Sequence, residues 1–482
     1  MHIVFAASEC APWAKTGGLA DVVSGLPKAL VQLGHKVQVF LPYYRQVAKA
    51  VPDAAVVLPS VTIPFPFYNR FVRILNGGTL DGVQHYFVDC PELFDRESLY
   101  ATPSGDYPDN AERFGLLSRA VIEATKILGV PDVFHVHDWQ TAMLAVLLRS
   151  TYFFDPVLRS VPAVLTIHNA GYQGLFPPLT METLLLPWDL FTMDKLEHYD
   201  KVNFLKGGIV YADALTTVSR GYAQEIQTPE FGNGLDGLLR RRSKDLVGIL
   251  NGVDYDEWDP AHDPYIAAHY SANDLSGKKE CRRDLLHAFG MGAVADHTAV
   301  IGVVSRFATQ KGFDFIVEIL DRLVEEDMVL LMLGNGEEFY ERLLTEAARK
   351  YPQKVVVMVK YDNVIAHKIE AGADIFLMPS RYEPGGLNQI YSLRYGTIPV
   401  VRATGGLEDT IDEQPAGAGN GFKFRGYDSA ALLDAIKRAL ATFEDKPVWT
   451  AMMRRAMAQE FSWRGPAQEY VKVYESSIKN RS

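Results

Sequence analysis

Short apolar runs rich in Val, Ile and Phe alternate with amphipathic stretches through most of the chain. In the first half such runs fall at 2–8, 37–41, 84–89, 133–137, 163–167 and 214–218, and each predicts a strand. Between them the spacing of apolar positions predicts helices over 21–33, 110–128 and 140–149. The second half repeats the pattern, with runs at 299–305, 329–333, 355–359, 375–378 and 398–401 and helical periodicity over 313–326, 337–350 and 429–443. Strands alternating with helices imply parallel sheets covered on both faces, so the pattern predicts an α/β chain of two doubly wound domains. Periodicity weakens from Asn251 to about His297, where turn residues crowd together (DYDEWDPAHDP), and the boundary is placed near the start of that stretch. Ligands of such sheets bind beyond the carboxyl ends of the strands, and two facing domains would form a cleft there.

Composition narrows the partners. Forty-eight Lys and Arg against 59 Asp and Glu leave a net charge of −11, which argues against a nucleic-acid binder and a basic membrane-surface protein. The 482 residues, 48% apolar, are enough for two large domains or three smaller ones. Cys10, Cys90 and Cys281 lie far apart with no CxxC, as expected of packing thiols in a reducing compartment. The start HIVFAASE carries no charged leader, and no run reaches about 18 apolar residues. The expectation is a cytoplasmic protein without low-complexity segments.

Several strand ends carry residues suited to chemistry. After the first strand comes Lys15-Thr16-Gly17-Gly18-Leu19-Ala20-Asp21: the glycines permit close backbone approach, Lys15 offers charge to a phosphate, and Asp21 could cap the next helix. A surface turn with a solvated lysine fits this spacing equally well. His135 and His137 share a strand face, as metal ligands would, but without further ligands nearby the packed or hydrogen-bonded reading is preferred. Asp138, at that strand's end, would point into the cleft. His168-Asn169-Ala170-Gly171-Tyr172-Gln173-Gly174 reads as a substrate-binding loop or, equally, as a loop with a structural histidine. Arg306 and Lys311, just past strand 299–305, could clamp an anion, although solvated cations would look the same. The densest segment is PSRYEPGGLNQIYSLRYG at 379–396, where Glu383 precedes Gly385-Gly386 and a predicted helix whose free N–H groups suit a diphosphate. Gly405-Gly406 repeats the pattern, and two glycine pairs in adjacent units favour a nucleotide cradle over tight turns. Gly232-Asn233-Gly234-Leu235-Asp236-Gly237 matches G-x-G-x-x-G only literally, because no apolar strand precedes it.

Taken together, KTGGLADV (15–22), HDW (137–139), HNAGYQG (168–174), NFLKGG (203–208), LNGVD (250–254), SRFATQKG (305–312), PSRYEPGGLNQIY (379–391) and TGGLEDT (404–410) resemble the bacterial glycogen synthase and plant starch synthase family over nearly the whole chain. The resemblance implies the GT-B fold, two Rossmann-like domains around a cleft: 1–249 on the acceptor side, 250–460 for the nucleotide sugar, and a C-terminal helix in 461–482 that crosses back to the first domain. It implies transfer of glucose from ADP-glucose, with UDP-glucose as the alternative donor, to the non-reducing end of an α-1,4-glucan such as glycogen, with retention and with no metal or other cofactor.

The resemblance also implies roles. Lys15 would contact the donor's phosphate or sugar, with Gly17, Gly18 and Asp21 in the same binding loop. Arg306 and Lys311 would neutralise the departing diphosphate, and Tyr361 would stack on the base. Glu383 would anchor the transferred glucose, and the backbone of Gly385, Gly386, Leu387 and Asn388 would bind phosphate. Asp138 and His168 would sit beside the anomeric carbon, and Asn251 would complete the sugar's surroundings. Position 385 is glycine where many relatives have cysteine, so no cysteine chemistry is essential there. Tyr391 stands where the E-x7-E pattern of wider retaining transferases has its second acid, which disfavours a two-carboxylate mechanism. An NAD-dependent oxidoreductase and a non-catalytic glucan-binding protein are the alternatives from other classes. The missing dinucleotide motif counts against the first, and the intact Lys15, Arg306, Lys311 and Glu383 count against the second.

Overall fold

The computed structural model describes residues 1–102, 104–292 and 294–481. The chain divides into two compact units, Met1–Gly252 together with Trp463–Ser482, and Val253–Ser462.

The first unit contains β1 (His2–Ala6), α1 (Gly18–Gln32), β2 (Lys36–Pro42), β3 (Ala55–Pro64), β4 (Asn69–Leu80), β5 (Val83–Asp89), α2 (Asn110–Leu128), β6 (Val133–His137), α3 (Asp138–Arg149), β7 (Ala163–Ile167), α4 (Phe204–Tyr211), β8 (Ala214–Thr217) and β9 (Leu246–Gly248). Its sheet runs β9-β8-β7-β6-β1-β2-β5-β4-β3. The central strands HIVFA, VFHVH and AVLTI are almost continuously apolar because helices cover both faces, and Ile3 pairs with Val37 on one side and Val133 on the other. The sheet is not wholly parallel, contrary to the sequence reading: β3 and β4 form an antiparallel hairpin on β5. This hairpin buries only scattered side chains, and two prolines, Pro59 and Pro64, lie in the edge strand β3, where a missing N–H is tolerated.

The second unit contains α5 (Ser276–Ala288), β10 (Ala299–Val304), α6 (Phe313–Leu323), β11 (Met328–Gly334), α7 (Glu338–Lys350), β12 (Val355–Val359), α8 (Asn363–Gly372), β13 (Ile375–Met378), α9 (Asn388–Arg394), β14 (Ile398–Arg402), α10 (Gly405–Thr410), β15 (Phe422–Phe424), α11 (Ser429–Glu444) and α12 (Lys446–Met457). Its strands are parallel in the order β12-β11-β10-β13-β14-β15. The stretch read as irregular from Asn251 to His297 holds α5, a charge-rich helix that buries little beyond Cys281, Leu285, Leu286 and Lys278, whose ammonium donates to the Ala371 and Tyr395 carbonyls and to Thr397 Oγ1.

The last helix, α13 (Arg464–Arg481), belongs to the first unit. Tyr470 and Tyr474 are fully buried there, Tyr474 hydrogen-bonds Nδ1 of His135 at 2.8 Å, and the Trp463 indole packs where Gly25 of α1 leaves room. Among the described residues, no helix is long and apolar enough to cross a membrane.

Candidate active site

In a doubly wound sheet the crevice opens where the strand order reverses. In the second unit the chain builds β10, β11 and β12 in one direction and then returns to place β13 on the other side of β10. Arg306 and Lys311 follow β10; Glu383 and the 385–388 loop follow β13. The topology alone therefore brings together two cations and the acidic glycine-rich segment, across 72 residues of sequence.

Local contacts lock these two loops. Lys311 Nζ donates to Glu383 Oε2 at 2.7 Å, and Ser380 Oγ donates to the same oxygen at 2.9 Å. The Glu383 side chain is only 9% exposed, so the pair lies largely out of water, where a charge contact is strong and an unpaired charge is expensive. Asn388 Nδ2 donates to Val304 O at 3.0 Å, and the Arg381 amide donates to Gln310 O at 2.8 Å. Gly312 adopts φ 78° with the Pro379 carbonyl against it, so this close approach admits no side chain. Arg306 is exposed and reaches Gln310 Oε1 at 3.3 Å.

The first unit has its own reversal, between β1 and β6. The loop after β1 is organised by Glu9, a buried carboxylate. It accepts hydrogen bonds from Thr16 N (2.6 Å), Thr16 Oγ1 (2.6 Å), Gly17 N (3.2 Å) and Tyr100 Oη (2.7 Å). Lys15, Gly17 and Gly18 are thereby held at the surface. Asp21 does not cap the following helix: it lies in the first turn of α1, Gly17 is the capping residue, and Asp21 instead pairs with Lys15 at 2.6 Å. Burial raises the Asp21 pKa despite that cation.

After β6, Asp138 is buried at φ 52°, a backbone region that non-glycine residues rarely adopt. Its Oδ1 accepts the backbone N–H of His168 (2.7 Å) and of Asn169 (3.4 Å), tying the ends of β6 and β7 together. Burial pushes its carboxyl up to about 7, against the pull of those two donors. His135 and His137 are fully buried, as their packed reading predicted. His135 bonds Thr166 Oγ1 (2.6 Å) and Tyr474, and His137 Nδ1 lies 3.0 Å from His168 Nε2. Among the described residues no group of three or more His, Cys, Asp or Glu is placed to hold a metal ion.

Other expectations land differently. Tyr361 is 79% exposed just beyond β12, a ring open for stacking. Asn251 is buried in the first unit, and its Oδ1 has no partner among the described residues. The 385–386 glycines do not open a helix directly, since α9 begins at Asn388 with Leu387 as its cap. Gly405 and Gly406 start α10 in a close approach to protein backbone. They pack against the 383–385 backbone, with Gly406 N donating to Glu383 O and Pro384 O, both at 3.1 Å, and a Cβ on Gly406 would overlap the Gly385 carbonyl. Sequence reasoning missed Glu9, Ser380 and Tyr100. A buried-acid signal existed for Glu9, which directly follows an apolar strand, but its partners are set by the fold.

Two doubly wound units, each with charged and glycine-rich loops at its strand-order reversal, are the architecture of a GT-B glycosyltransferase. Residues 2–241 match the model of the starch synthase catalytic domain, and 292–450 match that of glycosyl transferases group 1. The chain is 56% identical to a glycogen synthase of Koribacter versatilis, covering 100% of this chain and 99% of that protein, and 46% identical to one of Myxococcus xanthus, covering 99% and 100%. The catalytic domain of starch synthase IV from Arabidopsis thaliana, bound to ADP and acarbose, superposes with a TM-score of 0.90 at 33% identity over 99% of both chains. The chain belongs to the glycogen synthase and starch synthase family.

Proposed function

We propose that the protein transfers glucose from ADP-glucose to the non-reducing end of an α-1,4-glucan, glycogen, with retention of configuration, in the cytoplasm and without a metal ion. The observation that carries this reading is the convergence of Lys311, Arg306, Glu383 and the 385–388 backbone at one strand-order reversal. Cations and free N–H groups there suit a diphosphate, and a carboxylate beside them suits sugar hydroxyls. The ADP held by the starch synthase IV relative supports the adenine nucleotide as donor.

In this reading the nucleotide stacks on Tyr361, its diphosphate lies against the 385–388 backbone, and Lys311 and Arg306 neutralise the charge that grows on the leaving phosphate, a task divalent metals perform in other transferases. Glu383, held by Lys311 and Ser380, keeps one carboxylate oxygen for the transferred glucose. In the first unit, Lys15, held by Asp21 in a loop fixed by Glu9, offers a charge to a phosphate, and Asp138, His168 and Asn251 offer polar groups to a sugar. The C1–O bond to the diphosphate breaks as the acceptor hydroxyl oxygen bonds to C1 on the same face. The hydroxyl proton passes to the departing phosphate oxygen, so no second carboxylate is required.

The test is glucose incorporation into glycogen from ADP-glucose and from UDP-glucose, each with and without a chelator. Faster incorporation from ADP-glucose, unchanged by chelation, is expected. Loss of activity on chelation would overturn the metal-free mechanism, and preference for UDP-glucose would overturn the donor assignment.

A further inference from the structure

The His137 ring is fully buried in the first unit. Its Nδ1 faces Nε2 of His168 at 3.0 Å, and its Nε2 has no hydrogen-bond partner among the described residues. Burial pushes the His168 pKa down to about 3 and that of His137 well below its ordinary value, so both rings are neutral at pH 7 and a single hydrogen lies between the facing nitrogens. Two arrangements are possible. If His168 donates from Nε2, His137 carries its own proton on Nε2, as a buried N–H aimed at no acceptor. If His137 donates from Nδ1, its Nε2 keeps only an unpaired lone pair.

The surroundings decide between them. The Phe5 ring lies 5.5 Å from the His137 ring at an interplanar angle of 20°, covering a face rather than the edge from which an N–H would project. The neighbouring His135 is already engaged at both nitrogens, with Thr166 and with Tyr474. Neither can accept from Nε2, and an orphaned buried N–H is the rarer and costlier defect. We propose that His137 is a positioning residue that donates from Nδ1 and so fixes His168 as the Nδ1–H tautomer. His168 then presents a hydrogen-bond donor, not a proton acceptor, from its half-buried outer edge. Such a group binds an oxygen of the sugar and cannot take the acceptor's proton. The catalytic part of this inference rests on the glucosyl-transfer reading above; the tautomer itself does not.

Nitrogen-detected NMR of the full-length protein with isotopically labelled histidine reads the tautomer directly, with the His168 signals identified by their loss in His168→Gln. The Nδ1–H coupling pattern is expected, and an Nε2–H pattern overturns the proposal. His137→Asn places an amide donor near the original Nδ1, whereas His137→Leu removes the donor. The Asn variant should hold kcat/KM within about threefold of the parent, while the Leu variant should lose about tenfold or more, and that loss should persist from about pH 6 to pH 9. Equal activities of the two variants, high or low, would refute the positioning role. If the parent transfers glucose from no nucleotide sugar, the functional reading fails while the spectrum still decides the tautomer.

Discussion

Replacing Asp138 by Asn keeps the oxygen that accepts the His168 and Asn169 backbone N–H groups and removes only the charge. The carboxyl is moved from 3.8 to about 7 by burial, and at about 1.4 kcal/mol per pH unit its ionisation at pH 8 costs the folded state about 4 kcal/mol. The sign follows from the raised value: the unfolded chain releases this proton near pH 4 while the folded protein keeps it, so stability is present at low pH and is lost as pH rises through 7. The value of about 7 already includes the pull of the two N–H donors on the carboxylate, so the neutral amide recovers this cost without a further deduction. Asp138→Asn should therefore stabilise the first unit by about 4 kcal/mol at pH 8 and by about 2 kcal/mol at pH 5, or roughly 7 °C in Tm at the higher pH. Scanning calorimetry of both proteins at the two pH values measures this difference directly. Equal shifts at pH 5 and pH 8, or a destabilised variant at pH 8, would refute the argument that burial of this charge is the strain. Turnover should fall about tenfold or more in the same variant, since a stabilising change at a strained site commonly removes function.

Lys311→Ala should lower kcat by about a hundredfold or more with circular dichroism unchanged, and near-normal turnover would remove it from the diphosphate clamp. Tyr361→Ala should raise the KM for the nucleotide sugar about tenfold through lost stacking and leave kcat within about twofold; an unchanged KM would exclude this ring from base recognition. Gly406→Ala should destabilise the second unit by about 2 kcal/mol or more and reduce turnover as well, because the methyl would displace the Gly385 carbonyl; an unaffected enzyme would show that the packing of the two loops is loose.

Eleven parallel strands were legible because burial leaves apolar runs, and each run became a strand with its ends within two residues, whereas the three-residue parallel strands β9 and β15 are too short to leave one. The β3–β4 hairpin was not, since only Val61, Ile63, Val72, Ile74 and Leu75 are buried in it and register shifts in β3 break the alternation further along. Helix α5 was hidden by charge: in SGKKECRRDLLHA a whole lysine is buried, its ammonium donating to the Ala371 and Tyr395 carbonyls and to Thr397 Oγ1, which hydropathy does not register. At the site, the residue types and strand-end positions of Lys15, Arg306, Lys311 and Glu383 could be read, but not that Lys311 and Glu383 are direct partners. The glycine pairs show the limit most plainly. Gly405-Gly406 correctly signals a close approach, but a sequence cannot say whether a ligand or another stretch of backbone approaches, and here it is backbone. Glu9 needed Tyr100, which lies 91 positions away.

The first unit is discontinuous, being closed by the helix that starts after Trp463, and this has a consequence for synthesis. While the ribosome makes Val253–Ser462, at about 5–20 residues per second, the first unit waits roughly 10–40 seconds without the helix that buries His135 against Tyr474. During that interval an apolar trough beside α1, β6 and β7 lies uncovered on a tethered nascent chain. The second unit must fold as an insertion, between the body of the first unit and the short segment that completes it. Truncation within the last twenty residues would thus prolong indefinitely a state that translation normally makes brief.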